Sequence, residues 1–171
     1  MSAKLIILRG NAGSGKSTIS AELKQKLNGE VLYLEQDLFR LNIIKVKNDE
    51  NFSVRRNTQT IGAVLSLLKW GKDNFDYIIL EGIYSVPNYT TMFDEIKKMF
   101  NQFYAYYFDL TFEETAKRHL TREKSKIFGV EAMREWFKEK NYLPQIEETK
   151  ITKDQSKDEI VNMILKDIGE I

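Results

Sequence analysis

Cysteine is absent from the 171-residue chain, which excludes disulfides and thiolate metal sites. A single histidine, His119, excludes a histidine-rich zinc site. Proline occurs twice, at Pro87 and Pro144, and no Ser/Gly-rich linker, low-complexity tract or internal repeat interrupts the chain, so one domain over residues 1–171 is expected. No apolar run approaches the ~20 residues that a membrane span needs. The N-terminal apolar stretch stops at Arg9, too soon for the apolar region of a signal peptide, and no cleavage site follows. A cytoplasmic protein that does not engage membranes is the expectation. An excess of one charge is also lacking: Lys+Arg number 26 and Asp+Glu 25, for a formal charge of +1. That balance argues against a coat for nucleic acid or anionic lipid, and it still allows a local basic pocket. Hydrophobic residues reach 42%, enough to bury a sizeable core.

What is present is an alternation of short apolar runs with longer amphipathic ones. Leu5–Leu8, Val31–Leu34, Tyr77–Leu80 and Tyr104–Phe108 read as strands, with a weaker one near Thr149–Thr152. Their nearly continuous apolar character suits a sheet covered on both faces. Helical segments are expected at Ser17–Leu27, Ser53–Trp70, Tyr89–Phe100, Phe112–Glu123, Glu131–Lys140 and Ser156–Ile168. In the second, Val54, Ile61, Leu65 and Leu68 recur at helical spacing. Repeated strand–helix units imply a parallel, doubly wound sheet with ligands at the carboxyl ends of its strands.

Gly10-Asn11-Ala12-Gly13-Ser14-Gly15-Lys16-Ser17 matches G-x-x-x-x-G-K-[ST] at every fixed position, between an expected strand and an expected helix. Glycines let backbone N–H groups curl around phosphate oxygens, and the helix N-terminus beyond them favours an anion. Residues Gly10 to Thr18 are therefore the expected nucleotide site. Lys16 would reach the β- and γ-phosphates, and Ser17 would ligate magnesium. ATP and Mg2+ are the expected ligands.

Two acids follow strands. Asp37, past Tyr33-Leu34-Glu35-Gln36, would take or orient the proton of an acceptor hydroxyl, with an N-cap role as the bland reading. Arg40, three residues on, would share its side and hold an anionic part of the acceptor. Glu81 ends Tyr77-Ile78-Ile79-Leu80 as the acid of a Walker-B-type strand ends it, although Asp is the usual residue there. It is expected to support magnesium or the acceptor. Arg55 and Arg56, with Tyr84, are candidates for the acceptor pocket.

Lys117, Arg118, Arg122, Lys124 and Lys126 crowd one segment, with Arg118 and Arg122 on one helix face. A helix–loop–helix lid over about residues 117–135 would bring both arginines to the phosphates and exclude water. His119 is expected to be solvated, and Trp136 to pack in the core or along the sheet flank.

These residues together resemble the small P-loop kinases of the zeta-toxin-like and polynucleotide-kinase-like branch, to which uridine-kinase-like bacterial kinases and chloramphenicol phosphotransferase are related. The resemblance implies a P-loop NTPase fold with a five-stranded parallel sheet flanked by helices. In 5′-hydroxyl polynucleotide kinases an Asp-x-x-Arg element follows the second strand. Asp37 and Arg40 stand in that register, which implies a base and a phosphate-side contact. The segment Phe112-Glu113-Glu114-Thr115 through Arg118 and Arg122 is similar to the helix that leads into the lid of these kinases.

Three functions follow. The favoured one is transfer of the γ-phosphate of ATP to a hydroxyl of a small molecule, such as a nucleoside, a metabolite or an antibiotic. A 5′-hydroxyl polynucleotide kinase is the alternative, with nucleic acid as partner, although no basic run beyond the lid supplies a tunnel for a strand. A nucleotide switch ranks last, because neither Asp-x-x-Gly nor Asn-Lys-x-Asp occurs anywhere in the chain.

Overall fold

The structure, a computed structural model, describes residues 2–86, 88–121 and 129–171. Five strands form one parallel sheet: β1 (Lys4–Gly10), β2 (Val31–Glu35), β3 (Tyr77–Gly82), β4 (Phe103–Phe108) and β5 (Thr149–Ile151), in the order β2-β3-β1-β4-β5. The first strand is central, hydrogen-bonded to β3 on one side and β4 on the other.

Successive residues of β1 face opposite layers, so both parities must be apolar. Leu5 and Ile7 enter a core shared with Leu34, Val64, Leu68, Leu80 and Phe93, beneath α2 (Phe52–Gly71) and α3 (Thr90–Met99). Ile6 and Leu8 enter a second core with Leu23, Ile79, Phe108, Ile160 and Ile164, beneath α1 (Lys16–Lys26) and α6 (Lys157–Asp167). Two more helices, α4 (Phe112–Leu120) and α5 (Val130–Trp136), pack together beside the glycine-rich loop through Phe112, Ala116 and Met133. Among the described residues, no helix is long and apolar enough to cross a membrane.

Local chemistry sets the helix ends. Ser156 and Glu159 form a reciprocal capping box at α6, and the Thr111 hydroxyl accepts the Glu114 amide at α4. The expected helix Glu131–Lys140 stops at Trp136, because tertiary bonds claim the next backbone groups. Asn11 Oδ1 accepts the Lys138 amide at 2.9 Å, and Asn11 Nδ2 donates to the Lys138 carbonyl at 2.8 Å. The apolar stripe of α2 also shifts: Val64 and Leu68 are fully buried, whereas Val54 is 68% exposed in the first turn.

Arg9 is wholly buried at the end of β1. It pairs with Glu148 at 2.6 Å and donates to the Tyr84 and Asn141 carbonyls at 3.0 Å each. Phe93 and Tyr107 flank its guanidinium at 5.4 and 5.5 Å. One cation thereby ties the central strand to the two chain segments that border the site.

Candidate active site

The glycine-rich loop joins β1 to α1 at the carboxyl edge of the sheet. Gly13 has φ +77°, and a Cβ there would lie 2.5 Å from the Thr115 carbonyl oxygen, so both its conformation and the close approach of α4 demand glycine. Gly15 caps α1 in a left-handed conformation at φ 106°. Lys16, 7% exposed, donates its ammonium to the Asn11 carbonyl at 2.9 Å and to Ser14 Oγ at 3.4 Å. The charge is thus held at the loop, at the amino end of a helix whose dipole adds positive potential.

Ala12 to Ser17 line a cavity of about 580 Å³. Three expected loop residues lie elsewhere. Gly10 packs against Phe108, the Asn11 side chain clamps Lys138, and Thr18 is exposed outside the lining.

Glu81, at the end of β3 and 3% exposed, lies against this loop. Ser17 donates to its Oε1 at 2.6 Å, Ser20 to its Oε2 at 3.1 Å, and the Tyr33 hydroxyl also donates to Oε2. Burial, and next the Glu81 charge, push the Tyr33 hydroxyl well above its ordinary value, so it remains a donor. Ser20 and Tyr33 were not foreseen. Ser20 follows Ser17 at i+3 on one helix face, which the spacing permits, but Tyr33 reaches Glu81 across the β2–β3 pairing.

The oxygens of Ser17 and Glu81 fit magnesium, a hard cation bound by few protein ligands and completed by water and phosphate. Among the described residues, no group of three His, Cys, Asp or Glu side chains forms a metal cage.

The cavity continues to Asp37, Arg40, Arg56, Asn57, Tyr84 and Tyr89. Asp37 opens a π-helical turn over Leu38–Ile43 and makes no side-chain cap bond, so its carboxylate is not used in the N-cap role. It lies 3.9 Å from an Nη of Arg40. Tyr84 sits at φ +39°, fully buried, with Tyr89 and Phe93 edge-on at 5.1 and 6.0 Å and, among the described residues, no partner for its hydroxyl. Burial holds that hydroxyl well above its ordinary value, so it stays protonated. Gln36 Oε1 fixes the adjoining backbone, accepting the Ile83 and Tyr84 amides at 2.9 and 3.2 Å.

Several expectations change. Arg55 pairs with Asp49 at 2.7 Å and is not in the lining; consecutive helix residues point ~100° apart, and Arg56 takes that place. His119 is 2% exposed and lines the cavity, because α4 turns it inward against the loop. Trp136 also lines the cavity and is 47% exposed, since α5 ends there. Arg118 donates to the Ser14 carbonyl at 3.1 Å and to Glu114 at 2.6 Å, which places it on the loop backbone. Arg122, Lys124 and Lys126, and with them the middle of the expected lid, lie outside the described residues.

No family model matches the chain, and neither does any curated protein. Solved structures do. The Mycobacterium tuberculosis APS kinase CysC, in complex with AMPPNP and APS, superposes with a TM-score of 0.67 at 16% identity, covering 96% of each chain. A gluconokinase from Sinorhizobium meliloti gives 0.62 at 14% identity, over 95% of this chain and 90% of that one. A chain of the Pnkp1/Rnl/Hen1 RNA repair complex gives 0.50 at 20% identity, over 86% of this chain and 50% of that one. The chain has the P-loop NTPase fold, which it shares with kinases such as these.

Proposed function

We propose that the chain is an ATP-dependent phosphotransferase that moves the γ-phosphate onto a hydroxyl of a small molecule. The observation that carries this reading is one cavity lined both by the Lys16 loop with the Ser17–Glu81 pair and by the Asp37 carboxylate. Phosphoryl transfer needs little more from a protein than positioning and charge neutralisation along a line.

Loop amides and Lys16 hold the β- and γ-phosphates. Ser17 and Glu81 would hold magnesium, which when bound neutralises the charge on those oxygens. Asp37 accepts the proton of the acceptor hydroxyl as its oxygen bonds to the γ-phosphorus and the bond to the β-phosphate oxygen breaks. Arg118 keeps the loop backbone in shape through Ser14.

A 5′-hydroxyl polynucleotide kinase is a second reading, supported by the Asp37–Arg40 pair and by the RNA-repair neighbour. The near-neutral charge favours the small-molecule reading.

The test measures ADP release from Mg-ATP across nucleosides, sugars, antibiotics and 5′-hydroxyl oligonucleotides. Lys16→Ala should abolish turnover with the melting temperature preserved, and Asp37→Asn should lose transfer yet keep nucleotide affinity. Full transfer by Asp37→Asn would remove the residue from the mechanism.

A further inference from the structure

The cavity lining carries two guanidinium groups from different elements, Arg40 on the π-helical turn and Arg56 on α2. Each has a buried Nε with no hydrogen-bond partner among the described residues. Among the described residues, the one carboxylate in ion-pair range of either is Asp37, at 3.9 Å from Arg40; Arg56 has none. Phe52, 4.7 Å from the Arg56 guanidinium, holds its plane, and the Tyr89 hydroxyl beside the pair donates to Asn57 at 2.9 Å. Burial first, and then the like charge of Arg40, lower the proton affinity of Arg56. Tyr89, Arg40, Arg56 and Asp37 line the same cavity.

Asp37 offsets part of the charge from 3.9 Å on the Arg40 side and leaves Arg56 without an ion pair, so an anion that reaches both guanidiniums would be stabilised there. Each guanidinium presents a rigid fork that matches the oxygens of a phosphate. A phosphate monoester offers three terminal oxygens to the two forks and carries about −1.5 to −2 charges near neutral pH, whereas a carboxylate or a phosphodiester offers two such oxygens and one charge. The balanced total charge disfavours a nucleic-acid strand as the source.

We propose that Arg40 and Arg56 form an anion subsite for a phosphate monoester borne by the acceptor, so that the substrate is a small, already phosphorylated hydroxyl compound. This rests on the phosphotransferase reading and narrows it. The free hydroxyl of the acceptor lies at Asp37 while its own phosphate is held by the two forks. Arg56 is thereby a specificity-determining residue.

The test uses the full chain saturated with magnesium and a non-hydrolysable ATP analogue, so that the loop is filled, and titrates inorganic phosphate by calorimetry. One further phosphate should bind per chain. Arg40→Gln and Arg56→Gln should each weaken it about tenfold or more, with analogue affinity unchanged. Without phosphate, Arg56→Gln should melt no lower than wild type, because repulsion and an orphaned donor are removed; an Arg56 that served only the fold would melt lower on replacement. In the second arm, transfer from Mg-ATP is compared for glycerol and glycerol 3-phosphate, glucose and glucose 6-phosphate, adenosine and AMP, and a 5′-hydroxyl oligonucleotide. Monoesters should exceed their parents about tenfold or more in kcat/KM, and Arg56→Gln should erase the difference.

Neutral parents used as well as monoesters, or phosphate binding untouched by Arg56→Gln, would overturn the subsite. Preference for the oligonucleotide would overturn the small monoester in favour of a strand. The two readings also fail separately. A second phosphate lost in the variants with no acceptor phosphorylated keeps the subsite and removes the kinase. Transfer to neutral acceptors with no second phosphate does the reverse.

Discussion

Replacing Arg9 by methionine keeps a long, flexible, apolar stem and removes the charge, so the cost reports on the buried ion pair. Arg9 is 0% and Glu148 2% exposed at the side chain. In the variant, Glu148 keeps the Leu143 amide at 2.9 Å as its described donor, and the Tyr84 and Asn141 carbonyls lose theirs. Stranding one partner of a buried pair costs about 3–5 kcal/mol. In a domain of this length ~1 kcal/mol moves the melting temperature by about 2–4 °C, so a fall on the order of 10 °C is expected. Glu148→Gln should cost less, because Arg9 keeps two carbonyls and two aromatic faces. The double variant buries no charge and should recover much of the loss, with a coupling of about 1–3 kcal/mol. Urea unfolding followed by tryptophan fluorescence gives all three values. Additivity within about 0.5 kcal/mol, or a loss below about 1 kcal/mol for Arg9→Met, would refute the reasoning.

Gly13→Ala should lose nucleotide binding and several degrees of stability, because a left-handed residue with a side chain costs about 1–2 kcal/mol and its Cβ meets backbone of α4; calorimetry with an ATP analogue reads both effects. Glu81→Gln keeps the shape and removes the charge, so the magnesium concentration that half-saturates analogue binding should rise about tenfold with little change in melting; an unchanged midpoint would remove Glu81 from the metal site. The Glu159 carboxyl is held below its ordinary value, chiefly by the Ser156 backbone amide and then by the Ser156 side chain. A depressed value adds stability above the unfolded pKa of about 4.3 and loses it as pH falls further, so the gap in melting temperature between wild type and Glu159→Ala should be open at pH 7 and close below about pH 4.

The four longer strands were legible because a parallel sheet buried on both faces needs an apolar run, as in Leu5–Leu8 and Tyr77–Leu80, whereas β5, with Thr149 and Lys150 exposed, left only a weak signal. The phosphate loop was legible because its chemistry is contiguous in the chain. What escaped depends on partners distant in sequence. Asn11 ends α5 from 127 residues away, and Tyr33 meets Glu81 only once β2 lies beside β3. Arg55 and Arg56 differ by one step of helical phase, which periodicity alone does not settle at a helix start where Val54 is exposed. His119 looked like one more polar residue of a charged helix, and only the seating of α4 on the loop buries it.

The bonds at Glu81 also settle where hydrogen atoms lie. A carboxylate can only accept, so the hydroxyls of Ser17 and Tyr33 each aim a hydrogen at it, while that of Ser20 has the Lys16 carbonyl at the same 3.1 Å as a second acceptor. With its proton so occupied, Ser17 turns its lone pairs away from Glu81. Of the three hydroxyls, Ser17 alone lines the cavity. The rotor that would greet an incoming cation is therefore already set, with no competing orientation to abandon, and the ordering entropy of that ligand was spent when the chain folded.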